Sequence, residues 1–311
     1  MTTPDTLQPT DPHLEPAPDT KPAARPGLLL HLSGPLQSWG ERSRFNQRDT
    51  AAFPTRSALI GLLAAALGQD RHTSLHELAR LRFAVRADRA GVLLRDFHTV
   101  GGGLPVKGTV RTAAGKPRTA ETATLVSHRY YLQDAAFTVA VTCVDGDGHL
   151  LDRCAAALAE PHWPPYLGRR SCPPDTPVLI GAVADAWRAL THTPLHREAP
   201  RSRLPKSSTA AVIVHADELL TGLVAPPGGR LLDDGSTSPI NDEPVSFDPM
   251  NRLYRTRTDH RRTLHVPVGQ CAGLGSTFLR AVLGHLSQLD HPDHLDHPDH
   301  LDLASPQEDP Q

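Results

Sequence analysis

Long apolar runs, cysteine pairs and the common catalytic motifs are all missing from this chain of 311 residues. No apolar run approaches the ~20 residues that a helix needs to span a bilayer. The N-terminal segment, residues 1–26, carries four acids and lacks the apolar stretch of a signal peptide. We therefore expect a soluble, cytoplasmic protein with no membrane partner.

Cysteine is scarce, and its spacing does not fit a zinc site. The chain has 4 cysteines, none of them in a Cys-x-x-Cys pair, so we expect reduced thiols. Histidines near the C-terminus have metal-friendly spacing, but Pro and Asp interrupt them in a segment without a core. These histidines are His291, His294, His297 and His300. The sequence therefore predicts no structural metal site.

Motifs for several enzyme classes are also absent. The chain contains no Gly-x-x-x-x-Gly-Lys-Ser/Thr loop, no His-Glu-x-x-His and no Gly-x-Ser-x-Gly. Nucleotide hydrolysis, zinc-protease and serine-hydrolase functions thus have no local support. We expect no cofactor.

Lysine is rare, and charge is distributed unevenly. Residues 1–26 sum to −2 and residues 287–311 to −7, which leaves the body, 27–286, at about +7. Nearly all basic residues of the body are arginines, whose planar fork suits phosphates and base edges. A GC-rich genome explains the same ratio, so the ratio alone does not establish nucleic-acid binding.

Hydrophobic residues make up 39% of the chain, which is enough for a substantial core. Apolar patterning is confined to the body and weakens beyond residue 185. We predict a disordered N-terminal tail (1–26), an RRM-like core (27–185) with a thumb insertion at about 101–122, a smaller C-terminal region (186–286) and an acidic His/Asp/Pro low-complexity tail (287–311).

Strand and helix patterns alternate along the core. Leu28–Leu32 is a short apolar strand, and Pro54–Ser57 begins a helix that stops at Gly68. The fold class predicted is α+β, with a ferredoxin-like or RRM-like core, an inserted β-hairpin thumb, a smaller irregular C-terminal part and disordered tails. Further strands are predicted at 83–87, 92–100, from 124 to 143, 178–183, 211–215 and 264–268, with helices at 75–81, 150–159 and 276–286.

Residues 104–120 form a basic excursion between two predicted strands. The stretch has no acid and no large aromatic, so it cannot build a core. It carries Lys107, Arg111, Lys116 and Arg118. We interpret it as an exposed thumb.

Two short stretches combine arginine with aromatic or small polar residues, at 38–42 and at 166–174. Paired arginines beside a glycine can surround one phosphate, and Trp or Tyr can stack a splayed base. The alternative for Arg169 and Arg170 is a solvated loop or an internal salt bridge.

Residues 95–103 and 127–131 bracket the basic excursion and should be close in space if they pair as strands. His98, His128 and Tyr130 are groups that a metal-independent ribonuclease would use for acid-base chemistry. The same groups also bind RNA without cutting it, so the sequence leaves both possibilities open.

Six motifs lie in order across about 30–245. Together they resemble the Cas-five family of CRISPR-associated RAMP proteins, in the pattern of its type I-E members. The matching motifs are Leu30–Gly40 (LHLSGPLQSWG), Phe53–Ser57 (FPTRS), Leu94–Val100 (LRDFHTV), Tyr130–Val139 (YYLQDAAFTV), Tyr166–Pro173 (YLGRRSCP) and Asp242–Pro244 (DEP).

This resemblance implies a non-catalytic subunit of a type I-E Cascade complex that binds the 5′ handle of the guide RNA. Its expected partners are the guide RNA, the backbone subunit and the large subunit, with target DNA nearby and contacted only indirectly. The endoribonuclease alternative remains, because members of the family in related systems cut precursor RNA.

The RNA-binding residues expected from the resemblance match the handle-facing motifs of the family. They are Gln37, Ser38, Trp39, Arg56, Ser57, His98, Arg169, Arg170 and Ser171. The residue patterns add Arg42, Arg48, Arg95, Lys107, Arg111, Arg129 and Tyr130 as RNA-binding candidates.

Overall fold

The computed structural model describes residues 23–42, 46–101, 103, 105, 108–112, 114–200, 205 and 208–289. Most of both predicted disordered tails, together with Lys107, lies outside these residues. The described strands are β1 (Gly27–Ser33), β2 (Leu36–Gln37), β3 (Gln47–Arg48), β4 (Leu81–Arg89), β5 (Val92–Val100), β6 (Leu125–Gln133), β7 (Ala136–Cys143), β8 (Leu179–Val183), β9 (Thr209–Ala216), β10 (Arg230–Leu231), β11 (Ser236–Ser246) and β12 (Leu253–Pro267). The described α-helices are α1 (Arg56–Ala66), α2 (Gly148–Ala159), α3 (Ala186–His192) and α4 (Gly275–Leu289).

A main antiparallel sheet organises the fold, with β4, β7, β1 and β8 side by side in that order. β1 and β7 are buried along their whole length, as their nearly continuous apolar sequences predict. Leu30 and Phe137 of this sheet share one core with Leu63 of α1. On the other face, α3 contributes Trp187 and Leu190 to a second core. The predicted α+β class is confirmed, whereas the ferredoxin-like detail stays a prediction.

The C-terminal part is more regular than we expected. β9 pairs with β4, and β12 pairs with β9, so the main sheet continues through the region predicted to be irregular. β11 then pairs with β12 at the edge of this sheet. Pro239 and Pro244 obscure the strand pattern of β11 in the sequence, and an edge strand tolerates them. Pairing with distant strands therefore decides structure that local patterning does not reveal.

A smaller sheet stands beside the main one. β6 pairs with β5 along nine residue pairs, and its other edge pairs with β2 and β3. The β pattern predicted from 124 to 143 divides into β6 and β7 near Asp134, whose φ of 55° marks a turn. β6 of the small sheet thus continues through this turn into β7, which lies between β4 and β1 in the main sheet.

The basic excursion between β5 and β6 has no strand in its described residues. The Gly115 N–H donates to Thr112 O at 2.9 Å, which closes a turn, and a short 3₁₀-helix spans Ala120–Thr122. The described part of the predicted β-hairpin thumb is therefore a hairpin-like turn without a strand ladder.

None of the helices that the structure describes is long and apolar enough to cross a membrane. In the same part of the chain, no three His, Cys, Asp or Glu side chains are grouped to hold a metal ion. All four cysteines are free thiols.

Two buried histidines meet beneath α4. His31 Nε2 lies 2.8 Å from His196 Nδ1, and the His196 ring stacks on Phe278 of α4. One ring must donate and the other accept, so this contact requires a neutral ring. Burial lowers the pKa of His31 to about 4, against an opposing effect of Asp88.

Mild acid should therefore destabilise the protein. Unfolded His31 has an ordinary pKa of 6.5, so the unfolded chain takes up a proton before the folded one. We expect full stability above this pH and a loss of about 1.4 kcal/mol per pH unit from His31 as pH falls through the window toward the folded pKa. Urea unfolding at several pH values checks this, with His31→Gln as the non-titrating variant. Identical pH slopes for the two proteins would contradict the prediction.

Candidate nucleic-acid interface

The arginine loop (Tyr166–Pro173) closes on itself and docks on the chain after β2. The Leu167 N–H donates to Cys172 O at 2.7 Å, and the Ser38 N–H donates to Leu167 O at 3.0 Å. Gly168 has a φ of +90°, and a Cβ there would lie 1.8 Å from Ser38 O. Only glycine fits this approach, so the docking of the loop depends on Gly168.

Arg169 fastens this loop to the small sheet. Its guanidinium donates to Tyr130 O at 3.2 Å, to Arg48 O at 2.9 Å and to Asp49 O at 3.1 Å. The same group lies over the Tyr131 ring, 4.7 Å from its centroid. Arg169 therefore has an internal role, through main-chain carbonyls rather than through the salt bridge considered from the sequence.

Further arginines surround this anchor. Arg48 and Arg129 are register partners on β3 and β6, so their side chains share one face of the small sheet. Arg129 is half-buried and donates from Nε to Ser127 Oγ at 3.3 Å. Arg48 and Arg170 are exposed, and neither side chain has a hydrogen bond or ion pair within the described residues. We call Arg48, Arg129, Arg169 and Arg170 the arginine face.

Three residues predicted to touch RNA lie inside the fold. Gln37 Nε2 donates to Ala135 O at 2.9 Å, and Trp39 Nε1 donates to Gln37 Oε1 at 3.2 Å. Ser38 Oγ donates to Tyr130 O at 3.1 Å. All three side chains are buried, which corrects the expectation of direct contact. They stabilise the segment after β2 on which the arginine loop docks.

Arg56 is buried as well. Its guanidinium forms ion pairs with Asp217 and Glu243, and its main-chain N–H donates to Asp242 Oδ2 at 2.7 Å. Burial raises the pKa of Asp217, with the positive charge of Arg56 opposing that shift. Direct RNA contact by Arg56 is therefore replaced by a structural role, and half-buried Ser57 follows it in α1.

The groups proposed for ribonuclease chemistry do not converge. His98 pairs in register with Ser127, whereas His128 and Tyr130 alternate with Ser127 along β6. His98 thus lies on the opposite face of the small sheet from both. His98 Nδ1 lies 3.3 Å from Asp96 Oδ2, with both side chains about half-exposed.

The remaining predicted residues lie around the small sheet. Arg95 is exposed on β5 in register with Tyr130. Arg111 is exposed and donates to a carbonyl of the excursion's turn, and Arg42 is exposed and paired with Glu41. Ser171 is exposed next to the arginine pair, and Lys107 is outside the described residues. The structure does not bring Arg42 or Arg111 into the arginine face by any described contact.

An aromatic pair beside the arginine loop was only partly recognised from the sequence. Trp163 is 42% exposed and Tyr166 is 37% exposed, although large aromatics usually bury most of their surface. The Trp163 ring meets His162 edge-on, with centroids 4.8 Å apart. The signal was His-Trp-Pro-Pro-Tyr, which ends two residues before the arginine pair and in which prolines restrict the backbone.

Comparison with known proteins identifies the family. A family model described as CRISPR-associated protein (Cas_Cas5) matches residues 27–267, which is most of the chain. The chain belongs to the Cas5 family. The resemblance inferred from the motifs is thereby confirmed. The role of the protein is CRISPR-associated.

Individual relatives agree with this assignment. The chain is 38% identical over 182 residues to the CRISPR system Cascade subunit CasD of Escherichia coli strain K12, covering 52% of this chain and 75% of that one. A chain solved in a "CRISPR RNA-guided surveillance complex" is 42% identical with a TM-score of 0.69, covering 84% of this chain and 100% of that chain. A second structure, "Crystal structure of Cas protein", is 30% identical with a TM-score of 0.51, covering 80% and 99%.

Proposed function

We propose that this Cas5-family protein is a non-catalytic subunit of a type I-E Cascade complex and binds the 5′ handle of the guide RNA. The observation that carries the proposal is the arginine face, where Arg169 fastens its loop to Arg48 O and exposed Arg170, next to it in sequence, has no partner among the described residues. Exposed guanidinium groups on a fixed backbone are suited to phosphates, because little conformational entropy is lost on binding.

Base contacts would come from the aromatic pair. Trp163 is exposed just before the arginine loop and Tyr166 is exposed at its first position, so stacked bases and bound phosphates would lie along one stretch of chain. Stacking on an aromatic contributes about 1–3 kcal/mol per base. A single-stranded RNA end can supply both kinds of contact, since its bases are free to splay.

The expected protein partners are the backbone and large subunits of the complex, with target DNA near the guide 5′ end contacted only indirectly. Two relatives support this assignment by name: the Cascade subunit CasD and the chain from a CRISPR RNA-guided surveillance complex. No cofactor is needed for gripping RNA, because arginines and aromatic rings supply the contacts.

Catalysis by this chain is not part of the proposal. A metal-independent ribonuclease needs a base, an acid and a phosphate-stabilising group around one reacting atom. His98 lies on the opposite face of the small sheet from His128 and Tyr130, so these groups do not surround a common site.

Incubation of the purified full-length chain with end-labelled repeat RNA in EDTA tests this proposal. We expect saturable binding with the RNA recovered at full length, and the same length with His98→Ala. An RNA of equal length and unrelated sequence is the matched control. Cleavage at one position that His98→Ala slows by about 10²–10⁴ would overturn the non-catalytic proposal. Absence of preference for the repeat RNA would overturn handle binding.

A further inference from the structure

β5 exposes apolar side chains on both of its faces. Val92 is 69% exposed, Leu93 60% and Phe97 65%, and Leu94 is also exposed. Neighbouring residues of a strand point to opposite faces, so Val92 and Leu94 lie on one face and Leu93 and Phe97 on the other. The described residues leave apolar side chains exposed on both faces of this strand, which is unusual for a contiguous apolar segment.

The backbone of β5 is also open along one edge. Among the described strands, β5 pairs only with β6. The outward residues follow from β6: the His128 N–H donates to Asn46 O, and Tyr130 O accepts from Arg169, so the backbone groups of both point away from β5. Arg129, between them, must therefore point its backbone groups toward β5.

The register then assigns each residue of β5. Asp96 is opposite Arg129 and bonds to β6, and the uninterrupted register gives Leu94 and His98 the same orientation. The alternate residues direct their N–H and C=O groups to the open edge. These are Leu93, Arg95, Phe97 and Thr99.

This open edge lacks the usual protection. Free-standing proteins block edge strands with lysine, proline, bulges or very short strands. β5 has nine residues, no lysine, no proline and no register shift against β6. It presents an edge about 30 Å long at the usual rise per residue. The edge therefore has the form of a strand that is completed by another strand.

We infer that an extended segment of another protein subunit pairs with the open edge of β5 and covers Leu93 and Phe97. This inference rests on the proposed function as a subunit of a complex, and it names the surface that a protein partner uses. RNA is a poor occupant, because its backbone offers no alternating row of N–H donors and C=O acceptors. Arg95 is the one cation on β5, so the edge does not attract phosphates as the arginine face does.

Two substitutions of Phe97 distinguish the contribution of its backbone N–H to strand pairing from the contribution of its ring. Phe97→Pro removes the ring and the outward N–H, whereas Phe97→Ala removes only the ring, and neither disturbs a β5–β6 hydrogen bond. Co-expression with the other subunits and a guide RNA measures incorporation into the complex. We expect Phe97→Pro to be incorporated about tenfold less than Phe97→Ala, because it blocks strand pairing. Equal incorporation of the two variants would overturn the inference.

Hydrogen exchange of the wild-type protein gives a test that does not depend on a variant. In the complex, the amides of Phe97 and Thr99 should gain protection, whereas those of Asp96 and His98 should be protected already in the free chain. Unchanged exchange at Phe97 and Thr99 would contradict pairing. Light scattering tests whether a second copy of this chain pairs with the edge instead. If the free chain is a dimer and Phe97→Pro is a monomer, a second copy fills the edge and the inference is overturned.

Repeat-RNA binding by the isolated chain separates this inference from the proposed function. Phe97→Pro should bind RNA as the wild type does, because the arginine face is intact. If the wild-type chain does not bind repeat RNA, that result would count against handle binding and would leave the β5 inference unaffected. Normal RNA binding with unaltered incorporation of Phe97→Pro would reject the β5 edge alone.

Discussion

Replacing Arg56 with alanine should cost about 3–5 kcal/mol of folding free energy, which is typical of breaking a buried ion pair. Arg56 is 2% exposed, and its loss leaves Asp217 and Glu243 without their shared cation. Two main-chain carbonyls, Leu81 O and Ala79 O, also lose a donor. Urea unfolding followed by circular dichroism measures the change.

The matched control for this change is Arg71→Ala. Arg71 is exposed, so its removal should alter stability by no more than about 0.5 kcal/mol. Arg56→Lys should be intermediate, because lysine keeps the charge but not the fork. If Arg56→Ala unfolds with the wild-type midpoint yet binds repeat RNA weakly, Arg56 contacts RNA directly and the structural role is refuted.

Alanine at Arg170 should weaken binding of repeat RNA by about 10- to 100-fold, as expected for a lost charge-assisted contact of about 1.5–3 kcal/mol. The protein's melting temperature should not change, because the Arg170 side chain has no partner within the described residues. The dependence of affinity on salt should become shallower by about one counterion.

Alanine at Arg169 should act differently. It removes three hydrogen bonds to main-chain carbonyls and the contact with Tyr131, so the arginine loop loses its attachment. Both thermal stability and RNA affinity should fall. Arg252→Ala, an exposed arginine on the turn between β11 and β12, controls for the loss of one positive charge. Equal melting temperatures for Arg169→Ala and Arg170→Ala would show that Arg169 is not an anchor.

Elements with strong local signals were predictable from the sequence. The strand predicted at 92–100 is β5, and the helix predicted from Pro54–Ser57 is α1, because apolar spacing and a terminal glycine mark their limits. The prediction that residues on either side of the excursion pair as strands is also confirmed by β5 and β6. Local chemistry was sufficient in these cases.

Roles that depend on distant partners were not predictable. Arg56 resembles a surface arginine at a helix start, and its partner Asp217 is 161 residues away. Arg169 bonds to carbonyls, which leave no trace in side-chain patterns. Tryptophan is a residue type that stacks on bases, but Trp39 is buried and bonds to Gln37 inside the fold. In each case tertiary contacts with distant residues determine the side chain's role, and the motif itself does not reveal them.

The strand order of the main sheet also constrains how the chain is made. Among the described strands, β1 leaves the ribosome first, yet both of its neighbours, β7 and β8, are translated much later. β4 likewise waits for β9 before its second edge is paired. Until then the nascent chain exposes the apolar segment of β1, a state prone to aggregation. We therefore expect yield in the cell to depend on translation speed and chaperone supply more than the stability of the finished protein suggests.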